Sequence, residues 1–189
     1  IVMQVSVIIP VYNAAAFLQQ SVLSALEQAE TAEVILIEDG SPDEGLVLCQ
    51  SLEKKFPRVK LLQHEGGQNK GAGASRNLGI AAARFPFIAF LDADDFFLPH
   101  RFQKTQQIFA QHPDAGGVYE AVGRLFENET TKKNYKRLYT DEELITMEAG
   151  IPPAELFEEL FIAEKGFFSI DGLVVRRRVL LQMEGFAPE

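Results

Sequence analysis

Four short β-prone runs at nearly even intervals constrain this chain more than anything else in it. They are "VSVIIPV" (Val5 to Val11), "EVILIE" (Glu33 to Glu38), "VKLLQ" (Val59 to Gln63) and "FIAFLD" (Phe87 to Asp92), with helical apolar patterns filling each gap. Strands joined through helices run parallel, and parallel strands need both faces covered. The chain therefore reads as α/β, a three-layer α/β/α sandwich of Rossmann type around a mostly parallel sheet. Its 189 residues, 47% of them apolar, suffice for one well-buried domain with a small appendage.

Local signals mark the helices. Asn13 is placed to cap a helix whose stripe includes Phe17, Val22 and Leu26. "SPDE" (Ser41 to Glu44) has the form of a capping box with Pro42 in the first turn, leading into Leu48, Leu52 and Phe56. A third helix is expected from about Ala74 to Arg84, and Pro99 opens a fourth with Phe102, Ile108 and Phe109. "GGVYEAV" (Gly116 to Val122) reads as a further strand. The polar stretch that follows, from Arg124 to Glu143, lacks periodicity and reads as a hairpin or mobile excursion. Short helices are expected from a capping box at Thr140 and after Pro152-Pro153. "GLVVRR" forms a last strand, and "RVLLQMEG" a helix closed by Gly185.

Charge and composition exclude several classes. Eighteen basic against 27 acidic residues give a formal charge of -9, which argues against nucleic acid as a partner. A lone cysteine, Cys49, provides no disulfide framework and reads as a small core residue in a reducing compartment. Together with the scattered His64, His100 and His112 it makes no zinc site. No apolar run reaches the roughly 18 residues of a membrane span, and the first residues read as a strand, not a signal peptide.

Ligands of open parallel sheets bind beyond the carboxyl ends of the strands. Polar residues gather at those ends here: Tyr12-Asn13, Asp39-Gly40-Ser41, the loop from His64 to Gly71, and Asp92, Asp94 and Asp95. Three adjacent carboxylates repel one another and call for a cation. If the strand persists, Asp92 and Asp94 share a side, with small Ala93 between them, a spacing that suits Mg²⁺ or Mn²⁺. Solvated loop acids are the alternative. Asp39 is placed to accept hydrogen bonds from a base or ribose, or to be a turn residue before Gly40. Arg76, after the glycine-rich "EGGQNKGAGASRN", is placed to pair with a diphosphate.

Four motifs in register, "VSVIIPVYN", "IEDGSPD", "NKGAGASRNLGIAAA" and "FIAFLDADDFFLP", resemble the nucleotide-sugar-binding half of a family 2 glycosyltransferase with the GT-A fold. The resemblance implies a mostly parallel sheet with an open donor-site edge. It implies an inverting, metal-dependent enzyme moving a sugar from a nucleoside diphosphate donor, a UDP-sugar first, to a saccharide, lipid-linked or protein hydroxyl in polysaccharide biosynthesis. By that likeness Asp39 holds the base, with Pro10, Val11 and Tyr12 lining its pocket beside Asn13. Arg76 lies near the base or diphosphate. Asp92 contacts the ribose or supports the metal beside Ala93, Asp94 ligates the metal, and Asp95 stands behind. Residues 1–122 form the donor-binding half; 123–189 carry a variable acceptor side with the last strand and helix of the same domain.

One departure matters: the family's general base follows a "GGF" segment, whereas "EGFAPE" runs to Glu189, so the base is expected beyond it, with Asp171 as a weaker substitute. Cytoplasmic placement, with peripheral membrane association through regions beyond this sequence, fits such an enzyme. A binding module that lacks the base is the alternative. A Rossmann methyltransferase or dehydrogenase lacks its glycine-rich turn in "PVYNAAA", and a haloacid-type phosphatase would carry the D-x-D after the first strand.

Overall fold

The structure is a computed structural model that describes residues 3–126, 128–138, 144–147, 151–152, 154–156, 158, 166, 168–183 and 185–186. The chain divides into two units, Ile1–Val118 with Val174–Glu189, and Tyr119–Leu173. The first unit contains β1 (Val5–Val11), α1 (Ala15–Leu26), β2 (Thr31–Glu38), α2 (Gly45–Lys55), β3 (Val59–Gln63), α3 (Gly71–Ala82), β4 (Phe87–Phe90) and α4 (Gln103–Gln111). Strands β5 (Gly117–Tyr119) and β8 (Leu173–Arg176) follow in the same sheet, and α6 (Arg177–Gln182) packs on α3.

The sheet order is β3-β2-β1-β4-β8-β5. Strands β1, β2, β3 and β4 pair in parallel, while β8 runs antiparallel to β4. Strand order reverses at β1, which lies between β2 and β4, so the crevice beyond β1 and β4 is the topological switch point. Alternation splits β1 between two faces: Val5, Val7, Ile9 and Val11 share a core cluster with Leu18 and Val22 of α1 and with Cys49 and Leu52 of α2. On the other face, a Cβ at Gly79 of α3 would come 2.5 Å from Ile8 Cγ2 and 3.0 Å from Ile37 Cδ1. Gly79 thus lets α3 lie directly on the sheet.

Several local expectations change. Neither Asn13 nor Ser41 caps a helix. Asp43 does both jobs, its Oδ2 accepting the Ala15 N–H and its Oδ1 the Gly45 N–H, each at 2.9 Å, and α2 begins only after the "SPDE" box. Asn13 instead takes a left-handed turn (φ 52°). Helix α3 starts earlier than expected, at Gly71, and α4 starts after a turn that includes His100. Strand β4 ends at Phe90, so Asp92 and Asp94 lie in a turn, closed by Asp95 N–H donating to the Asp92 carbonyl at 3.0 Å, and not on one strand face.

In the second unit the supposed excursion contains α5 (Glu129–Leu138). Asn128 caps it, its Oδ1 accepting the Thr131 N–H at 2.9 Å, and Tyr135 packs against Phe126 and under Arg124. Its low apolar content hid it from a periodicity search. The "GGVYEAV" run breaks, with β6 (Val122–Gly123) pairing antiparallel to β7 (Leu144–Ile145). The Thr140 capping box lies outside the described residues, as do Leu160 and Phe161 of the Pro152-Pro153 helix.

Candidate functional site

An open pocket of about 260 Å³ lies at the switch point in the first unit. Pro10, Val11, Tyr12 and Asn13 line it from the end of β1, Asp39 from β2, Arg76 from α3, and Asp92, Ala93 and Asp94 from the turn after β4. Whereas Ser41, His64, Asp95 and Asp171 do not line it, the nine residues that the resemblance assigns to the nucleotide site thus line one pocket. Phe17 joins them: expected in the core stripe of α1, it is 48% exposed and lines the pocket, while Leu18 and Val22 fill the core instead.

Asp39 is buried and structurally engaged. Its two oxygens accept the N–H groups of Lys70 and Gly71 at 2.8 and 2.9 Å, which ties the end of β2 to the start of α3. His64 Nε2 lies 3.0 Å from Ser75 Oγ and 3.6 Å from Asp39 Oδ1. Beside it Glu38, also buried, accepts the Ser41 N–H at 2.6 Å and the Gln63 amide at 2.8 Å. Burial above all, and then the Glu38 and Asp43 charges, push the Cys49 thiol from 9.0 up to about 12.

The second acidic turn is open. Asp92 has a 39% exposed side chain and accepts from Arg76 Nη2 at 2.7 Å; Ala93 is buried, while Asp94 and Asp95 are exposed. One carboxylate oxygen of Asp92 and one of Asp95 lie within 4.8 Å of each other. Asp95, set aside in the sequence reading, therefore offers a hard oxygen ligand beside Asp92, a pairing that suits a Mg²⁺ or Mn²⁺ ion, whereas the expected ligand Asp94 lines the pocket without joining that pair.

A buried polar set missed in the sequence, Ser21 and Ser24 on α1 and Gln28 just beyond its end, holds this turn and the segment after it. Ser21 Oγ reaches the Asp92 carbonyl at 3.4 Å, Ser24 Oγ accepts the Phe97 N–H at 2.9 Å, and Gln28 binds Leu98 and Arg101 backbone at 3.2 and 3.0 Å. The i, i+3, i+7 spacing of Ser21, Ser24 and Gln28 was the available signal. In the second unit Asp171 sits buried in a 3₁₀ turn, its Oδ2 accepting from Ser169 Oγ at 2.9 Å.

The sheet order and this pocket define an α/β protein with an open crevice beyond β1 and β4. Residues 6–181 match the profile of glycosyl transferase family 2, and the chain belongs to that family. The succinoglycan biosynthesis protein ExoU of Rhizobium meliloti is 40% identical over 97 residues, 51% of this chain and 28% of that protein. Two solved structures share the GT-A fold. Staphylococcus aureus TarS 1-349 in complex with UDP-GlcNAc has a TM-score of 0.61 at 19% identity, over 98% of this chain and 49% of that one. The mannosyltransferase PcManGT of Pyrobaculum calidifontis, in complex with GDP-Man and Mn²⁺, has a TM-score of 0.64 at 19% identity, over 97% and 47%. The chain spans less than half the length of the curated relatives it matches. Among the described residues no helix is long and apolar enough to cross a membrane.

Proposed function

We propose that this chain is the donor-binding part of a glycosyltransferase that takes a sugar from a nucleoside diphosphate donor, a UDP-sugar first, and passes it to an acceptor hydroxyl with inversion. The observation that carries this reading is the convergence of Asp39, Arg76, Asp92 and Asp94 on one pocket at the switch point. The acceptor hydroxyl oxygen attacks the anomeric carbon while a general base takes its proton; the bond to the diphosphate oxygen breaks, and its pair of electrons leaves with the diphosphate. Asp39 accepts a hydrogen bond from the base, while exposed Tyr12 and Pro10 form the wall beside it. Arg76 offers its unused N–H groups to the anionic donor, and Asp92 contacts the ribose. Asp94 and Asp92, with Asp95 nearby, would hold a Mg²⁺ or Mn²⁺ ion, which neutralises charge on the leaving diphosphate when bound.

The name of the succinoglycan relative supports a role in polysaccharide biosynthesis, and the reading takes a saccharide or lipid-linked acceptor at the cytoplasmic face of a membrane. The acceptor side is assigned, in this reading, to 123–189. Calorimetry with UDP and GDP tests the donor reading. Binding is expected with Mn²⁺ or Mg²⁺ and lost in EDTA; equal affinity in EDTA overturns the metal role, and no binding of either nucleotide overturns the donor site.

A further inference from the structure

Asn77 follows Arg76 on α3, and its carboxamide pairs with both backbone groups of a residue far along the chain. Nδ2 donates to the Phe186 carbonyl at 2.8 Å, and the Phe186 N–H donates to Oδ1 at 2.7 Å. The preceding Gly185 lies in the left-handed region at φ 80°, and a Cβ there would overlap Asn77 Oδ1, so glycine alone permits this approach. Held in this way, Phe186 sets its ring edge-on to buried Phe90, with centroids 5.4 Å apart at 89°. The Arg76 guanidinium lies 5.7 Å over the same ring while Nη2 donates to Asp92. Arg76 Nε is buried and makes no hydrogen bond. The bond to Asp92 therefore fixes one corner of the guanidinium, and the ring beneath it restricts the rest.

We infer that Asn77 and Phe186 are positioning residues for Arg76. The carboxamide clasps the backbone, the backbone fixes the ring, and the ring keeps the guanidinium aligned so that it steadies Asp92 and presents its remaining N–H groups to an anionic donor. A guanidinium held in place before the ligand arrives loses less freedom on binding. The functional half of this inference rests on the donor-site reading above; the clasp itself does not.

The test uses the full chain with Asn77→Ala, Phe186→Leu and Phe186→Tyr, each shown to be folded by urea unfolding. Asn77→Ala is expected to speed hydrogen exchange of the Phe186 amide at least roughly ten-fold, since its acceptor is gone. Phe186→Leu, which still fills the space against Phe90, is expected to weaken UDP or GDP binding roughly ten-fold, the scale of a desolvated cation–π contact, and Phe186→Tyr to restore it. In an Arg76→Ala background Phe186→Leu is expected to cost no further affinity, because its effect passes through the missing guanidinium. Additive losses in that double variant, or unchanged Phe186 exchange in Asn77→Ala, overturn the inference. If the parent chain binds no nucleotide, the donor reading fails by itself. The clasp is then judged by Phe186 exchange and by the Arg76 Nε–H resonance, expected to be slowly exchanging in the parent and Phe186→Tyr but fast in Phe186→Leu; a resonance equally protected in all three overturns it.

Discussion

The turns after β2 and β4 look alike in sequence, "IEDGS" and "LDADD", yet use their acids in opposite ways. In the first, Glu38 and Asp39 are each 2% exposed, and their oxygens receive the Ser41, Lys70 and Gly71 N–H groups and the Gln63 amide. These carboxylates replace backbone pairing where three loops meet. In the second, Asp92 is partly exposed and Asp94 and Asp95 face solvent, while the turn's shape is held from behind by Ser21 of α1. Similar acidic motifs thus divide the work: the first turn assembles the pocket, and the second supplies its charge.

Substitutions sharpen that division. Asp39→Ala removes the acceptor of the Lys70 N–H and one of the two acceptors of the Gly71 N–H, and since an unsatisfied group costs about 1–3 kcal/mol, the expected loss of stability in urea unfolding is about 1–3 kcal/mol. A loss below about 1 kcal/mol would make the first turn no more structural than the second. Glu38→Gln turns one acceptor into a donor facing another donor, for an expected loss of about 1–3 kcal/mol in the same measurement.

Alkaline pH probes the core behind the first turn through Cys49 of α2. The unfolded thiol ionises near 9.0, whereas the folded one stays protonated to about 12, so the folded state binds the extra proton and stability falls as pH rises above 9. At pH 10 this costs about 1 kcal/mol, and Cys49→Ala should flatten the slope between pH 8 and 10 relative to the parent chain. The smallest effect on stability belongs to the second turn. Asp94→Ala should shift stability by no more than about 0.5 kcal/mol while reducing nucleotide affinity in Mn²⁺ to the level seen in EDTA. A large destabilisation there would erase the contrast between the turns.

The strand rhythm made the sheet legible, because each β run is rich in Val, Ile, Leu and Phe and each lies within a parallel ladder. The pocket was legible for a related reason: its residues stand just beyond those runs, where topology alone brings them together. Helix starts were not. Asp43 caps two helices at once, a role that depends on one loop lying beside another and leaves no trace in local spacing. Helix α5 escaped notice because a cap and an aromatic contact hold it, without an apolar stripe. The shared side expected of Asp92 and Asp94 rested on extended geometry continuing past Phe90, whereas the chain turns there.

Gly79 carries a consequence for how such a pocket can be retuned. The contact of α3 with Ile8 and Ile37 has no room for one methyl group, so the helix rides at the smallest height the sheet allows. Arg76 and Asn77 lie on the same helix within a turn of that contact. A single added carbon at position 79, touching no ligand, would lift the guanidinium and its clasp together. The depth of the helix on the sheet thus acts as a set screw for the pocket, adjustable from beneath the helix.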